Sequence, residues 1–123
     1  MRAEISTEGS DWELASKFAE IAKNRGSAVL DLDSRKANIQ FDHMKLIDQE
    51  LRKRGTKARL SLVRLLDDPN RLVRFYAAIY LLGLVPNKAR AILEWNAKYG
   101  CDPLGANARG FLQGLDEGTY KPD

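Results

Sequence analysis

The sequence is poor in the residues that build crosslinks and catalytic centres. Its 123 residues include one cysteine, one histidine and four prolines. The lone Cys101 excludes an intramolecular disulfide and suits a reducing compartment. One histidine and one cysteine fall short of the ligand set of a structural zinc site. No phosphate-binding loop, dinucleotide glycine motif or zinc signature occurs. β-Branched residues are scarce too: valine, isoleucine and threonine together number 13, against 31 leucines and alanines. That ratio argues against a β-rich fold and for helices. Long apolar runs are also missing. The longest uncharged stretch lies between Arg74 and Lys88, 13 residues, too short to span a bilayer. Residues Met1 to Ser10 carry Arg2, Glu4 and Glu8 and no apolar stretch, which argues against a secretory leader. The expected setting is the cytoplasm, with no membrane partner.

What is present is an ordinary globular balance, 44% apolar and 30% charged. A chain of this length makes one domain and buries roughly two-thirds of its unfolded surface, enough for one core. The net charge of +3 is too small to demand a nucleic-acid partner, but its distribution is uneven. Residues 1–51 carry −3, residues 52–74 carry +6 and residues 75–123 carry zero. A basic centre could attract an anionic partner. The plainer reading is of solvated helix faces and of cations at a helix end, as at Arg52 to Arg54.

Helical punctuation divides the chain. Ser10 and Glu13 have capping-box spacing ahead of Leu14, Phe18, Ile21 and Ala22, and Gly26 is expected to close this helix, at 11–25. Ser27 could start a short turn. Asp33 or Ser34 then caps a long helix with the stripe Ala37, Phe41, Met44, Ile47 or Asp48, and Leu51, ending at Gly55. Thr56 is expected to cap a helix over 57–67, with Leu60, Val63 and Leu66 inward and Leu62 and Leu65 broadening that face. Asp68-Pro69-Asn70 is a stop and restart. The helix from Asn70 to Leu84 is apolar nearly all round, the mark of a central buried element. Pro86 opens a further helix ending at Gly100, with Ala89, Ile92, Leu93 and Ala97 inward. Asp102-Pro103 starts a last one through Ala108, Phe111, Leu112 and Leu115. The expected organisation is an irregular start at 1–10, one helical domain at 11–117 and an irregular tail at 118–123.

An internal repeat is visible. Lys57-Ala58-Arg59 recurs as Lys88-Ala89-Arg90, Asp68-Pro69 as Asp102-Pro103, and Arg74 as Arg109, at offsets of 31, 34 and 35 residues. A helical hairpin repeating at this spacing marks an α-solenoid. Leu66-Asp67-Asp68-Pro69-Asn70, followed by Val73-Arg74, Ala77-Ala78 and Leu81-Leu82, closely resembles the HEAT-repeat pattern over about residues 57–84. The second copy, 86–116, departs from it at Asn107 and Gly110. From Trp12 onward the chain also resembles an uncharacterised bacterial family of short HEAT/armadillo-like proteins, through Leu51-Arg52-Lys53-Arg54-Gly55, the Asp-Pro-Asn turn and Leu115-Asp116-Glu117-Gly118. The resemblance implies an all-α fold of six or seven helices in a short right-handed α-α superhelix. It implies that Val73, Ala77 and Leu81 point inward and that Arg74 bonds near Asp68 or Asp102. The repeat pattern usually has polar or basic residues where this chain has Phe75 and Ile79.

Catalytic readings find little support. His43 lies mid-helix beside Asp42, and adjacent helical residues point apart. Asp31, Asp33, Asp42 and His43 could supply hard-cation ligands, but capping is the stronger role for Asp31 and Asp33. Asp67 and Asp68 read as turn residues rather than an acid–base pair. The i,i+4 pairs Tyr76/Tyr80 and Trp95/Tyr99 could stack on nucleobases or fill the spaces between helices. Membrane binding by helix 57–67 is a faint signal that burial of its leucines explains.

The expected function is thus a non-catalytic protein–protein interaction module with no enzyme activity, metal or cofactor. The alternative is nucleic-acid binding through Arg52, Arg59, Arg64 and Arg71. Leu72, Phe75, Ile79 and Leu82 form one stripe by spacing. The stripe is either covered by Phe41, Met44 and Leu51 of the long helix, or faces another protein or a second copy of the chain, flanked by Arg71 and Tyr76.

Overall fold

The computed structural model describes residues 5–123, so the expectations for residues 1–4 lie outside the described residues. The fold is all-α. It comprises α1 (Asp11–Leu30), α2 (Ser34–Arg54), α3 (Thr56–Arg59), a 3₁₀ segment (Leu60–Asp67), α4 (Arg71–Leu81), α5 (Pro86–Tyr99) and α6 (Leu104–Glu117). No strand occurs among the described residues.

Local chemistry sets most of the boundaries. Ser10 and Glu13 form the reciprocal capping box, with Glu13 N donating to Ser10 Oγ at 3.1 Å and Ser10 N to Glu13 Oε1 at 3.2 Å. Asp33 caps α2 by accepting from Lys36 N. Asn70 caps α4 by accepting from the amides of Leu72 and Val73. Asp68 accepts from Asn70 N at 2.8 Å, so this carboxylate shapes the turn. Pro86 occupies the first turn of α5, and Gly118, with φ 74°, closes α6 in the left-handed region.

Three local expectations are corrected. Gly26 does not end α1, which runs on to Leu30; Gly26 is buried mid-helix, and a Cβ there would meet the Leu72 side chain at 2.7 Å. Its small size serves close approach of α1 to α4. The left-handed residue past the helix is Leu32, with φ 59°. Thr56 makes no cap, because α3 starts from Gly55 without a side-chain hydrogen bond and gives way to the 3₁₀ segment. That tighter winding turns Leu62, Leu65 and Leu66 inward, and leaves Leu60 exposed and Val63 half-buried.

α4 is the centre of the packing and touches α1, the 3₁₀ segment and α5. Val73, Ala77 and Leu81 have no exposed surface. α2 packs on α1 and α3, and α6 on α5. Each of the two Asp-Pro turns is met by an arginine from the helix that follows it. Arg74 Nη1 donates to the main-chain oxygen of Asp68 at 2.6 Å, and Arg109 Nη2 to Asp102 Oδ1 at 3.0 Å, so each arginine reaches back to its own Asp-Pro turn. The cationic end of α2 is likewise put to use. Arg54 donates to Thr7 and Gly9 main-chain oxygens and to Asp11 and Glu50, tying segment 5–10 to the bundle.

Candidate interaction groove

Because α2 leans on α1 and α6 leans on α5, the two outer helices stand apart with α4 between them. The result is a trough. Two adjoining cavities of about 530 and 540 Å3 share Phe41, Ile79, Tyr80, Phe111 and Tyr120. Phe75, Tyr76, Ile79 and Tyr80 of α4 make the floor. Phe41 lies on the α2 side, and Asn107, Gly110 and Phe111 on the α6 side. Such a volume with a mostly apolar lining is what ligand and partner sites have in common.

The trough has an aromatic end and a polar end. At the aromatic end Arg25 donates to the main-chain oxygen of Ala37 at 2.6 Å and stacks on both Phe41 and Tyr76, 5.1 and 5.5 Å from the ring centres. At the polar end Asp48 Oδ2 accepts from Arg52 Nε at 2.7 Å. Asp48 Oδ1 is buried with no hydrogen-bond partner, as is Arg59 Nε. Burial pushes the Asp48 carboxyl up despite the adjacent Arg52, and burial together with Arg52 pushes Arg59 down. Tyr80 is pushed up to about 12, first by burial and then by the Asp48 charge.

The proposed stripe is redistributed. Phe75 is 1% exposed and Leu82 3%, so neither presents an exposed patch. Phe75 and Tyr76 instead floor the trough, and Ile79 is the half-buried edge that reaches its surface. Leu72 is half-buried against Gly26, outside the trough. Arg71 lies beside Cys101, 3.4 Å from its sulfur, and does not flank the trough. The long helix shares one core with the buried part of the stripe. Met44 and Leu51 are in the core, while Phe41 stays 41% exposed and faces α4 across the opening.

The four arginines of the nucleic-acid alternative separate into three places. Arg52 and Arg59 meet at the polar end, where both donate to Asp123. Arg64 stacks over Trp12 at 4.4 Å, and Arg71 is at the α5–α6 turn. Trp95 and Tyr99 do touch, 5.6 Å apart, and both are exposed, whereas Tyr76 is buried and stacked edge-on against Phe75. Among the described residues no cluster of three or more His, Cys, Asp or Glu could hold a metal ion. Asp67 pairs with Lys88 at 2.8 Å rather than with Asp68.

Arg25, Phe111 and Tyr120 were not among the candidate site residues of the sequence. The one signal for this wall was the departure from the repeat pattern at Asn107 and Gly110, both of which line the trough. A Cβ on Gly110 would meet nothing within 4 Å.

Residues 12–116 match a family described as a domain of unknown function, DUF2019. The chain belongs to the DUF2019 family. A search of solved structures finds the protein RPA1889 from Rhodopseudomonas palustris CGA009, known from a crystal structure. It is 30% identical and superposes with a TM-score of 0.88 over 98% of this chain and 100% of that one. Among curated proteins none matches the chain. The DUF2019 match spans α1 to α6 almost entirely and stops short of Thr119, Tyr120, Pro122 and Asp123, which also line the trough. Among the described residues no helix is long and apolar enough to cross a membrane.

Proposed function

We propose that this DUF2019 chain is a non-catalytic interaction module of the cytoplasm, a short HEAT/armadillo-like right-handed superhelix that takes a segment of another protein into the trough. The observation that carries the reading is the trough itself. Its floor of Phe75, Ile79 and Tyr80 runs between two helices that make no close packing with each other. Apolar surface of this kind stabilises a complex when a partner covers it. Six of the side chains that line it are aromatic, and Asp48, Arg52 and Asp123 pair at its polar end, which suits binding rather than bond-making. Nucleic-acid binding is the weaker reading, since Arg64 and Arg71 lie away from the Arg52–Arg59 pair, whose charge Asp48 and Asp123 offset.

The test is capture on the immobilised chain and on its Ile79→Asp variant. Ile79 is the position to change, because a charge at the buried Phe75 would damage the core as well. A partner is expected to stay on the unsubstituted chain in about 1 M salt, where the screening length falls to about 3 Å, and to be lost from Ile79→Asp. Release of a nucleic acid by salt, with equal capture by both proteins, would favour the phosphate-binding alternative instead.

A further inference from the structure

We propose that the polar end of the trough is a seat for an extended peptide with an aromatic side chain followed, three residues on, by an acidic one. Residues 118–123 occupy this seat in cis, in place of a partner's segment. The proposal rests on the reading of the trough as a partner surface and names the chemistry of what enters it.

The segment after Gly118 has no regular structure, yet Thr119, Tyr120, Pro122 and Asp123 all line the trough. Its seat is cut down to backbone level at two glycines. A Cβ on Gly114 would meet Tyr120 Cβ at 2.9 Å, and one on Gly83 would run into the main chain of Asp123. Gly114 sits inside α6, where glycine weakens a helix, and its missing side chain is what admits the segment. Tyr120 packs edge-on against Phe111 with ring centres 5.4 Å apart. Two arginines clamp the acidic residue: Arg52 Nη1 lies 3.2 Å from Asp123 Oδ1, and Arg59 Nη2 donates to the Asp123 main-chain oxygen at 3.1 Å.

The cis occupant fits the seat incompletely, which makes it displaceable. The Asp123 side chain is 95% exposed, and ion pairs in such surroundings contribute little. Beneath it, Asp48 is 7% exposed and its Oδ1 has no partner; Arg59 Nε is buried without one as well. A segment that brings a donor to Asp48 and an acceptor to Arg59 satisfies two buried groups that residues 118–123 leave unpaired. With Asp123 displaced, Arg52 and Arg59 outnumber Asp48 at the seat, which favours an acidic entrant over a basic one.

The experiment measures binding of a fluorescent peptide with the sequence of residues 118–123 and blocked ends. It is titrated by anisotropy against the full chain and against Tyr120→Ala/Asp123→Ala, with circular dichroism melting to show that each is folded. The cis segment competes at high effective concentration. Removing its two anchors is therefore expected to tighten peptide binding about tenfold, the factor by which the competent state is depopulated when one site in ten is open. Adding Arg59→Gln to the double variant is expected to abolish binding, and a peptide of scrambled order is expected not to bind. A second readout needs no substitution: in nuclear magnetic resonance spectra of the unsubstituted chain, saturating peptide should move the Lys121 and Asp123 amides to unstructured positions. Equal affinity for chain and double variant, equal binding of the scrambled peptide, no binding to either protein, or binding without movement of those amides would each overturn the proposal. None of these results touches the Ile79→Asp capture test, which reads the trough through α4 alone.

Discussion

Ala77 shows how little freedom single positions have at the centre of this fold. It has no exposed surface on a helix that packs against α1, the 3₁₀ segment and α5. Three extra carbons there have nowhere to go without shifting a neighbouring helix. Ala77→Leu is expected to lower unfolding free energy by about 1–3 kcal/mol, read by chemical denaturation. Tyr80 is constrained in a different way. Its ring packs edge-on against Phe18 at 5.3 Å, and burial holds its hydroxyl neutral, with a pKa of about 12 against an ordinary 10.0. A folded-state value above the unfolded one means the contribution is whole below pH 10 and is lost as pH climbs through about 12. Stability is therefore expected to fall over that alkaline window together with the rise of phenolate absorbance. Tyr80→Phe should fall less steeply than the unsubstituted chain; an identical decline would show that Tyr80 is not the titrating group.

Whole elements obey their local signals where capping decides and depart from them where a neighbour decides. The capping box at Ser10, the Asp33 cap and the Pro86 start were legible in the sequence because each is satisfied within one turn of its own helix, whereas the cap of α4 falls on Asn70 and not on Asp67 or Asp68. The length of α1 was not, because the role of Gly26 depends on Leu72, which arrives from another helix. Leu60 was placed inward by α-helical spacing, but winding over Leu60–Asp67 is 3₁₀, and the buried face shifts to Leu62, Leu65 and Leu66. The α1–α4 contact gives a direct test. Gly26→Ala gains helix propensity but forces Leu72 to move, since a Cβ would lie 2.7 Å from both its methyl carbons. Gly26→Ala alone is expected to destabilise, and Gly26→Ala/Leu72→Ala to be more stable than the sum of the single effects by about 0.5–3 kcal/mol. Additive effects in a denaturation cycle would contradict the close approach.

At the scale of the molecule, periodicity showed which side chains turn inward but not which helix stands across a gap. Val73, Ala77 and Leu81 could be placed from α4 and its resemblance to a repeat, and all three are buried. The trough could not, because its walls come from Arg25, Phe41, Phe111 and Tyr120, residues up to 95 positions apart that share no motif. Phe75 and Ile79 did stand out as apolar where a repeat helix is usually polar. Both lie in the floor of the trough, Phe75 buried and Ile79 half-buried where the floor reaches the surface. Partners are expected to meet the molecule at Ile79, where the floor of the trough reaches the surface. The most direct measurement places a photoreactive phenylalanine analogue at Ile79 in the full chain, and in a second protein at Trp95, which is 45% exposed and lines a separate recess beside Asp67 and Lys88. On illumination in the native cell a crosslinked protein product is expected from position 79 and none from position 95. Products from position 95 with none from position 79 would contradict it.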